Sequence, residues 1–308
     1  MQKIIPHIWF DREAEEAAKF YTSIFRSGKI GTVTRYTDVG YDVHHMPAGT
    51  AMTAEFEIEG FSFIALNGGP LFKRNPSISF FVNFDPSRDP EAHARLDELW
   101  AKLSEGGKAL MPLSEYPFSK RYGWVEDKFG VSWQLILSNP GGEERPVIMP
   151  SLMFTGDMGG KAEEAARLYT SVFKDARMGM VAHYPKGSEP DPETSAMFLD
   201  FMIAGQWFAA MDSARRHDFA FNEGISLLVL CDDQKEIDYY WDTLNRNKDE
   251  GQCGWLHDRF GVSWQITPRG MGDMLNSSDR SKSDRAMAAM LEMKKIDIAA
   301  LRRAFEGR

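Results

Sequence analysis

Two long segments of the chain occur twice, and this repeat constrains the fold more than any other feature. The segment EEAAKFYTSIF, residues 15–25, returns as EEAARLYTSVF, residues 163–173. The segment GWVEDKFGVSWQL, residues 123–135, returns as GWLHDRFGVSWQI, residues 254–266. Both pairs keep the same order along the chain, which is the signature of an internal duplication. The sequence therefore predicts two copies of one folded unit.

The two copies are joined by a segment with the composition of a linker. Residues 138–147, SNPGGEERPV, combine prolines, a glycine pair and charges. We predict a first domain over residues 1–138, a linker over 139–146, a second domain over 147–270 and a C-terminal helical tail over 271–308. The second copy is shorter between its two repeated segments, so KALMPLSEYPFSKRY, residues 108–122, is interpreted as an insertion-tolerant loop of the first copy.

Within each copy, strand-like and helix-like periodicities alternate. Residues 4–10, IIPHIWF, are rich in β-branched and aromatic side chains, whereas residues 15–25 place apolar side chains at the three-and-four spacing of an amphipathic helix. Residues 53–66 alternate apolar and polar side chains on both sides of Gly60, as a β-hairpin does. The same order then repeats. Each copy is predicted to contain two β-α-β-β-β modules, and the fold class is α+β.

The composition is that of a folded, acidic protein. Hydrophobic residues make up 43% of the 308 residues, and 36 basic against 45 acidic residues give a formal net charge of −9. That charge disfavours nucleic acid as a partner. The start of the chain lacks the apolar run of a signal peptide, and the longest apolar stretch, residues 225–231, is too short to span a bilayer. We expect a cytoplasmic protein without a membrane partner, with Cys231 and Cys253 as reduced thiols.

The repeated segments resemble the vicinal-oxygen-chelate superfamily of glyoxalases and bleomycin-resistance proteins, in its PhnB-like branch. WFDREAEEAAKFYTSIF, LNGGPLFKRNPSISFFV, FNEGISLLVLCDDQKEIDYYWDTL, QCGWLHDRFGVSWQI and AMLEMKKIDIAAL carry the resemblance. With their counterparts they cover nearly the whole chain. The resemblance implies tandem glyoxalase/bleomycin-resistance-like domains, each of two β-α-β-β-β modules curled around a cleft.

The PhnB-like branch has often been labelled a demethylubiquinone methyltransferase. A methyl donor such as S-adenosylmethionine would require a glycine-rich turn between a strand and a helix. The glycine pairs at residues 68–69, 106–107 and 141–142 are not predicted at such a turn. The sequence gives a methyltransferase activity no support.

Enzymes of this superfamily hold a divalent metal with His and Glu side chains, and the resemblance assigns the corresponding positions here. The glutamate of the last strand corresponds to Gln134 and Gln265, and a second position, often His in the enzymes, corresponds to Ser79 and Ser226. A neutral amide brings no charge to a metal. Trp133 and Gln134 are neighbours on a strand and face opposite sides, and we expect the glutamine to face the cleft. These four polar residues are candidate ligand-binding residues.

The remaining candidates are a histidine and two carboxylates. On the first strand His7 is the only candidate metal ligand, and its counterpart in the second copy is Ser151. His7 and Gln134 are therefore the candidate ligands of a divalent metal, although a locally hydrogen-bonded strand histidine is the preferred interpretation of His7. Glu55 and Asp200 share one hairpin position and are candidate ligand-binding residues. Apart from this metal, no cofactor is expected.

Three functions stay open. The first is binding of a small molecule in a mostly apolar cleft without chemistry. The second is a metal-dependent lyase, isomerase or dioxygenase, which the missing metal ligands disfavour. The third is a structural or regulatory interaction protein, and nothing in the sequence separates it from the first. The two copies are expected to pack like the subunits of a single-domain relative's dimer, which allows a monomeric fused pseudo-dimer or a homodimer.

Overall fold

The computed structural model describes residues 2–138, 143–247 and 250–308. The strands are β1 (Ile4–Phe10), β2 (Lys29–Arg35), β3 (Ala51–Ile58), β4 (Phe61–Asn67), β5 (Ile78–Phe84), β6 (Lys108–Tyr116), β7 (Ser119–Glu126), β8 (Ser132–Leu137), β9 (Ile148–Phe154), β10 (Arg177–His183), β11 (Ala196–Ile203), β12 (Gln206–Asp212), β13 (Ile225–Cys231), β14 (Trp255–His257) and β15 (Ser263–Pro268). The helices are α1 (Ala14–Ile24), α2 (Tyr41–His44), α3 (Ala92–Ser104), α4 (Ala162–Val172), α5 (Gln234–Leu244), α6 (Met271–Leu275), α7 (Arg280–Leu291) and α8 (Ile298–Glu306). Residues 139–142 of the predicted linker lie outside the described residues.

The elements fall into four modules. Module 1 holds β1 to β4 with α1, and module 2 holds β5 to β8 with α3. Module 3 holds β9 to β12 with α4, and module 4 holds β13 to β15 with α5. Each copy of the duplication therefore contains two modules, and the predicted α+β class is confirmed. Within the described residues, module 4 has three strands and not the four of the predicted β-α-β-β-β order.

Each of the two sheets combines one module from each copy. The seven-stranded sheet has the order β14-β15-β13-β1-β4-β3-β2, so it joins module 4 to module 1. The eight-stranded sheet has the order β10-β11-β12-β9-β5-β8-β7-β6, so it joins module 3 to module 2. The two junctions are the antiparallel pairs β1 with β13 and β5 with β9. Residues from both copies therefore share each sheet.

One face of each sheet packs on the helices and forms the core. Helix α1 packs on β3, and helix α4 packs on β11. Tyr21 of α1 also reaches the other sheet, where its ring lies 5.4 Å from the ring of Trp133. The core is consequently continuous between the two sheets. We call the opposite face of the seven-stranded sheet cleft A and that of the eight-stranded sheet cleft B.

The segment at residues 108–122 is not a loop. It forms β6 and the start of β7, which pair as a hairpin at the edge of the eight-stranded sheet. The prediction of a loop was wrong because the length difference between the copies reflects an edge strand that the first copy has and the second lacks. An edge strand also tolerates a proline such as Pro112.

The C-terminal tail takes the place that β6 occupies in the other sheet. The backbone N–H of Cys253 donates to the carbonyl of Met293 at 2.7 Å, and that of Gly254 donates to the carbonyl of Lys294 at 2.8 Å. Helices α7 and α8 flank this segment, so the prediction of tail helices is confirmed. Within the described part of the chain, no helix is both long enough and apolar enough to cross a bilayer.

Candidate functional site

The most strongly repeated motif builds a support under each cleft. The Oδ1 of Asp127 accepts hydrogen bonds from two backbone N–H groups of the following turn, at 2.8 and 3.0 Å. Its Oδ2 accepts from the hydroxyl of Tyr21 at 2.8 Å and from the indole N–H of Trp133 at 2.9 Å. The corresponding residues of the second copy are Asp258, Tyr169 and Trp264.

This contact explains why two distant segments of the chain repeat together. One repeated segment supplies the tyrosine, and the other supplies the aspartate and the tryptophan. Burial raises the pKa of Asp127, and the four donors partly offset that effect. The sequence analysis assigns no role to Asp127 or Asp258, although their recurrence in both copies is a signal for one.

The glutamine after each of these tryptophans faces the other way. Trp133 and Trp264 are fully buried in the core, while Gln134 lies in cleft B and Gln265 in cleft A. Neighbouring residues on a strand point to opposite faces, which is the orientation that the sequence predicts.

In cleft A, Gln265 connects two other candidate residues. Its Nε2 donates to the Oγ of Ser226 at 2.9 Å and to the Nδ1 of His7 at 2.8 Å. Because Nδ1 accepts this bond, the proton of the neutral imidazole lies on Nε2. Burial lowers the pKa of His7 to about 4, so the ring is neutral at neutral pH. We call His7, Ser226 and Gln265 the His7 cluster.

The His7 cluster leaves two hydrogen-bonding atoms without partners. Among the described residues, no group hydrogen-bonds to His7 Nε2 or to Gln265 Oε1, and neither atom is sealed from solvent. Two indole rings flank them: Trp255 lies 6.0 Å from the His7 ring and 6.2 Å from the ring of Trp9. This part of cleft A therefore presents one donor and one acceptor beside two indole rings. The sequence did not single out either tryptophan.

In cleft B the same positions form a closed network. Gln134 Nε2 donates to Ser79 Oγ at 2.8 Å, and Gln134 Oε1 accepts from the hydroxyl of Tyr122 at 2.6 Å. Burial raises the pKa of Tyr122. Ser151, the counterpart of His7, is fully buried, and its Oγ has no hydrogen-bond partner among the described residues. The amide of Gln134 therefore offers cleft B no free acceptor.

Cleft B is also filled by its own side chains. A second apolar cluster covers its floor, and its buried members are Phe81, Tyr122, Trp124, Met149, Met153, Trp207 and Ala209. The guanidinium of Arg145 lies 3.6 Å from the centre of the Trp207 ring and 2.8 Å from a carboxylate oxygen of Asp200. In cleft A, Trp9, Ile64 and Trp255 are only partly buried, whereas their counterparts in cleft B, Met153, Ala209 and Trp124, are buried.

The two carboxylate candidates occupy different environments. Asp200 is buried in cleft B, where its Oδ2 pairs with Arg145 and its Oδ1 accepts from the backbone N–H of Met180 at 2.7 Å. Glu55 is exposed on the cleft A side of β3. It lies opposite Ile64, which is itself opposite His7, so Glu55 and His7 share one row of that face about 10 Å apart.

A tryptophan contact of cleft B has no equivalent in cleft A. The indole N–H of Trp124 donates to the Oγ of Ser132 at 2.6 Å. The counterpart pair is Trp255 and Ser263, but Trp255 lies over His7 instead. The Oγ of Ser263 is consequently buried and without a hydrogen-bond partner among the described residues.

The residues present do not fit the divalent metal that the superfamily resemblance implies. The structure places His7 with Gln265 and not with Gln134, because β1 pairs with a strand of the other copy. The His7 cluster contains one imidazole and no carboxylate, and the Gln134 network contains neither. Throughout residues 2–138, 143–247 and 250–308, no three His, Cys, Asp or Glu side chains are grouped as a metal site requires.

The glycine pairs do not form a strand-to-helix turn for a methyl donor. Residues 68–69 follow β4 and lead towards β5, whereas residues 106–107 connect α3 to β6. The pair at residues 141–142 lies outside the described residues.

The chain matches one protein family along most of its length. The family described as 3-demethylubiquinone-9 3-methyltransferase matches residues 2–136 and again residues 146–267. The chain belongs to this family. Its two matched segments coincide with the two copies of the duplication, which confirms a tandem PhnB-like protein.

Solved structures similar to this chain include proteins that match about half of it and one that matches most of it. A putative 3-demethylubiquinone-9 3-methyltransferase, PhnB protein, from Bacillus cereus is 36% identical over 44% of this chain and 100% of its own, with a TM-score of 0.38. A protein from Staphylococcus aureus is 32% identical over 45% of this chain and 98% of its own, with a TM-score of 0.18. A mutant of glyoxalase I from Zea mays is 10% identical over 87% of this chain and 93% of its own, with a TM-score of 0.50, and shares the fold. No curated protein matches the chain.

Proposed function

We propose that the protein binds a small, uncharged organic molecule in cleft A. The observation that carries this proposal is the pair of unpartnered atoms, His7 Nε2 and Gln265 Oε1, beside two indole rings. Sites that combine apolar side chains with a few free polar atoms are typical of ligand pockets. A ligand in cleft A would supply hydrogen-bond partners to both atoms in place of water.

The differences between the clefts favour cleft A over cleft B. In cleft B, Tyr122 already occupies the amide oxygen of Gln134, and Arg145 covers Trp207. A ligand there would have to displace a buried cluster of aromatic and methionine side chains. In cleft A the counterparts of Met153, Ala209 and Trp124, which are Trp9, Ile64 and Trp255, still contact solvent.

The unpartnered Oγ of Ser263 suggests how a ligand could reach His7, through a rotation of Trp255. If Trp255 turned to the position that Trp124 holds in cleft B, its indole N–H would donate to Ser263 and the imidazole of His7 would be uncovered. We expect this rotation to accompany binding. Ser263→Ala should then weaken binding several-fold, whereas Ser132→Ala, the matched change in cleft B, should leave the affinity unchanged.

The test is a fragment-binding screen on three proteins. Small neutral aromatic fragments, beginning with 2-naphthol, are screened by ligand-observed NMR and by thermal shift against the wild type, Gln265→Ala and Gln134→Ala. Binding lost only in Gln265→Ala supports cleft A, because a ligand that binds the folded state raises its stability. Binding lost only in Gln134→Ala would move the site to cleft B.

Elemental analysis distinguishes binding from metal chemistry. Protein purified without chelator is expected to hold less than one divalent ion per chain. One tightly held ion per chain that disappears in His7→Ala would contradict the proposal and favour a metalloenzyme.

A further inference from the structure

We infer that residues 37–48, which lie between β2 and β3, form a movable lid that controls access to cleft A. This inference rests on the proposed function, because a lid matters only where a ligand enters, but its test requires no ligand. It follows from the contact of this segment with the tail, from its position over cleft A and from its internal hydrogen bonds. We call residues 37–48 the lid.

The lid and the C-terminal tail come from opposite edges of one sheet. The lid follows the edge strand β2, and the tail pairs with the residues before β14, the strand at the other edge. Neighbouring strands lie about 4.8 Å apart, so these two edges of a flat seven-stranded sheet would be about 30 Å apart. The lid and the tail nevertheless touch, because a Cβ atom on Gly40 would lie 2.6 Å from a methyl carbon of Leu291. They therefore meet across one face of the sheet.

The face that they cross is cleft A. Helices α1 and α5 pack on the opposite face, which belongs to the core. Met46 of the lid is buried, and its terminal methyl group lies 3.6 Å from the position of a Cβ atom on Gly69. The carbonyl of Gly69 accepts the indole N–H of Trp9 at 2.7 Å. The lid thus rests against a residue that holds one indole ring of cleft A.

The tail side of this closure is connected to the other indole ring. The side chain of Gln252 donates to the carbonyl of Leu291 at 3.0 Å, and the backbone carbonyl of Gln252 accepts from the N–H of Trp255 at 2.9 Å. A cavity of about 540 Å³ lies between the lid and this part of the tail. The lid and the tail therefore meet beside the two indole rings that flank His7.

The lid is a self-contained unit. None of the residues of α2 is buried, and across the described part of the chain the hydrogen bonds of the lid all stay within residues 36–50. His44 uses both ring nitrogens: Nε2 donates to the carbonyl of Val39 and Nδ1 accepts from the N–H of Met46, each at 3.0 Å. Its ring packs on Tyr36 at 4.3 Å. Compact loops of this kind, packed by their own side chains, are frequently functional.

The two ends of the lid lie side by side, which lets it move as one body. The N–H of Gly49 donates to the carbonyl of Tyr36, and the N–H of Tyr36 donates to the carbonyl of Thr50, both at 2.9 Å. The hydroxyl of Tyr36 fixes this base to the carbonyl of Asn67 at 2.5 Å. Opening the lid above this base breaks only apolar contacts, and segments with few such contacts open at a low free-energy cost.

The corresponding segment of the second copy is anchored instead. Residues 184–195 lie between β10 and β11, and the buried carboxylate of Asp191 accepts from the backbone N–H of Ala214 at 2.6 Å. Moving this segment would break a buried hydrogen bond, which is costly. A movable lid is therefore expected at cleft A and not at cleft B.

Cysteine labelling measures access to cleft A without a ligand. Ile64→Cys places a thiol opposite His7 on the cleft A face of β4, at a partly buried position. Its reaction with iodoacetamide is followed on the full chain by peptide mass spectrometry, which separates this thiol from Cys231 and Cys253.

Two changes are designed to open the lid. Replacing residues 37–48 by Asn-Gly removes the lid and joins its paired ends by a two-residue turn. Leu291→Ala removes the side chain that meets Gly40. We expect the replacement to accelerate labelling of Ile64→Cys by about tenfold or more and Leu291→Ala to accelerate it less, because labelling follows the population of open molecules.

Two controls separate lid opening from a general loosening of the fold. Met211→Cys places a thiol in cleft B, and its labelling should not change when the lid is replaced. Met287→Ala alters the same helix as Leu291→Ala at a position that does not line the cavity between lid and tail, and it should leave the labelling of Ile64→Cys unchanged.

The outcomes separate this inference from the proposed function. Labelling of Ile64→Cys at an unchanged rate after both changes would overturn the lid. Equal acceleration of Met211→Cys, or equal effects of Met287→Ala and Leu291→Ala, would also overturn it. If the replacement prevents folding, the comparison of Leu291→Ala with Met287→Ala decides. The fragment screen reports separately on the proposed function, because a lid that opens does not require that any fragment binds, and a fragment that binds does not require that the lid moves.

Discussion

His7 gives the molecule a dependence on pH that can be assigned to one residue. Burial lowers the pKa of His7 to about 4 from an ordinary value of 6.5. Between these two pH values His7 is protonated in the unfolded chain but neutral in the folded chain. The free energy of unfolding therefore falls as the pH falls through this window. The free energy of unfolding keeps its full value above pH 6.5. Near pH 4, the protonation of His7 in the unfolded chain lowers it by about 3 kcal/mol.

Chemical denaturation at pH 7 and pH 4.5 measures this effect. His7→Ser is expected to lose less stability than the wild type over that interval. His45→Ser, which changes an exposed histidine of the same copy, is the control and should behave like the wild type. An unchanged difference between the two pH values in His7→Ser would contradict the assignment.

The buried aspartates should be among the least replaceable residues of the chain. Asp258→Ala would leave four donors without an acceptor, including the hydroxyl of Tyr169 and the indole N–H of Trp264. We expect a loss of about 3 kcal/mol or more in the free energy of unfolding, because unsatisfied buried groups are costly. Asp157→Ala, at an exposed position of the same copy, is the control. A loss below about 1 kcal/mol would show that the support is dispensable.

The sequence could predict which residues face the clefts but not which residues meet there. Strand alternation was sufficient to turn Gln134 away from Trp133. The contact between His7 and Gln265 requires β1 to pair with β13 across the two copies, and no local pattern encodes that pairing. For the same reason His7 and Gln134 were wrongly predicted to bind one metal together, although Gln134 lies in the other cleft.

At the scale of elements, the two copies protect equivalent sheet edges in different ways. Module 2 covers the outer edge of β7 with β6, whereas module 4 lacks that strand and the residues before β14 pair with the tail. An uncovered strand edge is prone to pairing with other chains. The sequence predicted the shortening of the second copy and the tail helices separately. It could not show that the tail compensates for the missing strand, because the two lie far apart along the chain.

Loosening the tail should therefore expose the edge next to β14. Ile296 is fully buried and lies against Gly254, so Ile296→Ala should cost about 2–4 kcal/mol. Hydrogen exchange of the Cys253 and Gly254 amides should become faster than in the wild type, because both donate to the tail. Ile30→Ala, at an exposed position on the opposite edge strand, is the control. Unchanged exchange at both amides would show that the tail does not protect this edge.

At the scale of the whole molecule, the units of sequence and the units of structure differ. The duplication divides the chain near residue 140, but both sheets cross that division through β1 with β13 and β5 with β9. The His7 cluster of cleft A takes residues from both copies. His7 comes from the first copy, and Ser226 and Gln265 come from the second. Substitutions in the first copy, such as those of His7, should thus alter a site whose amide, Gln265, belongs to the second copy.

Cutting the linker tests this arrangement directly. A protease site placed between residues 138 and 143 would yield two fragments, and we expect them to elute together at the mass of the intact chain and to unfold in one transition. The reason is that separation would break both antiparallel pairs and expose the edges of β1 and β5 to solvent. The melting temperature of the cut protein should fall on dilution, because association of the fragments then depends on concentration. The intact chain treated with the same protease is the control. Two folded fragments that elute separately would contradict the exchange of modules between the sheets, since each fragment would then have to close its own sheet.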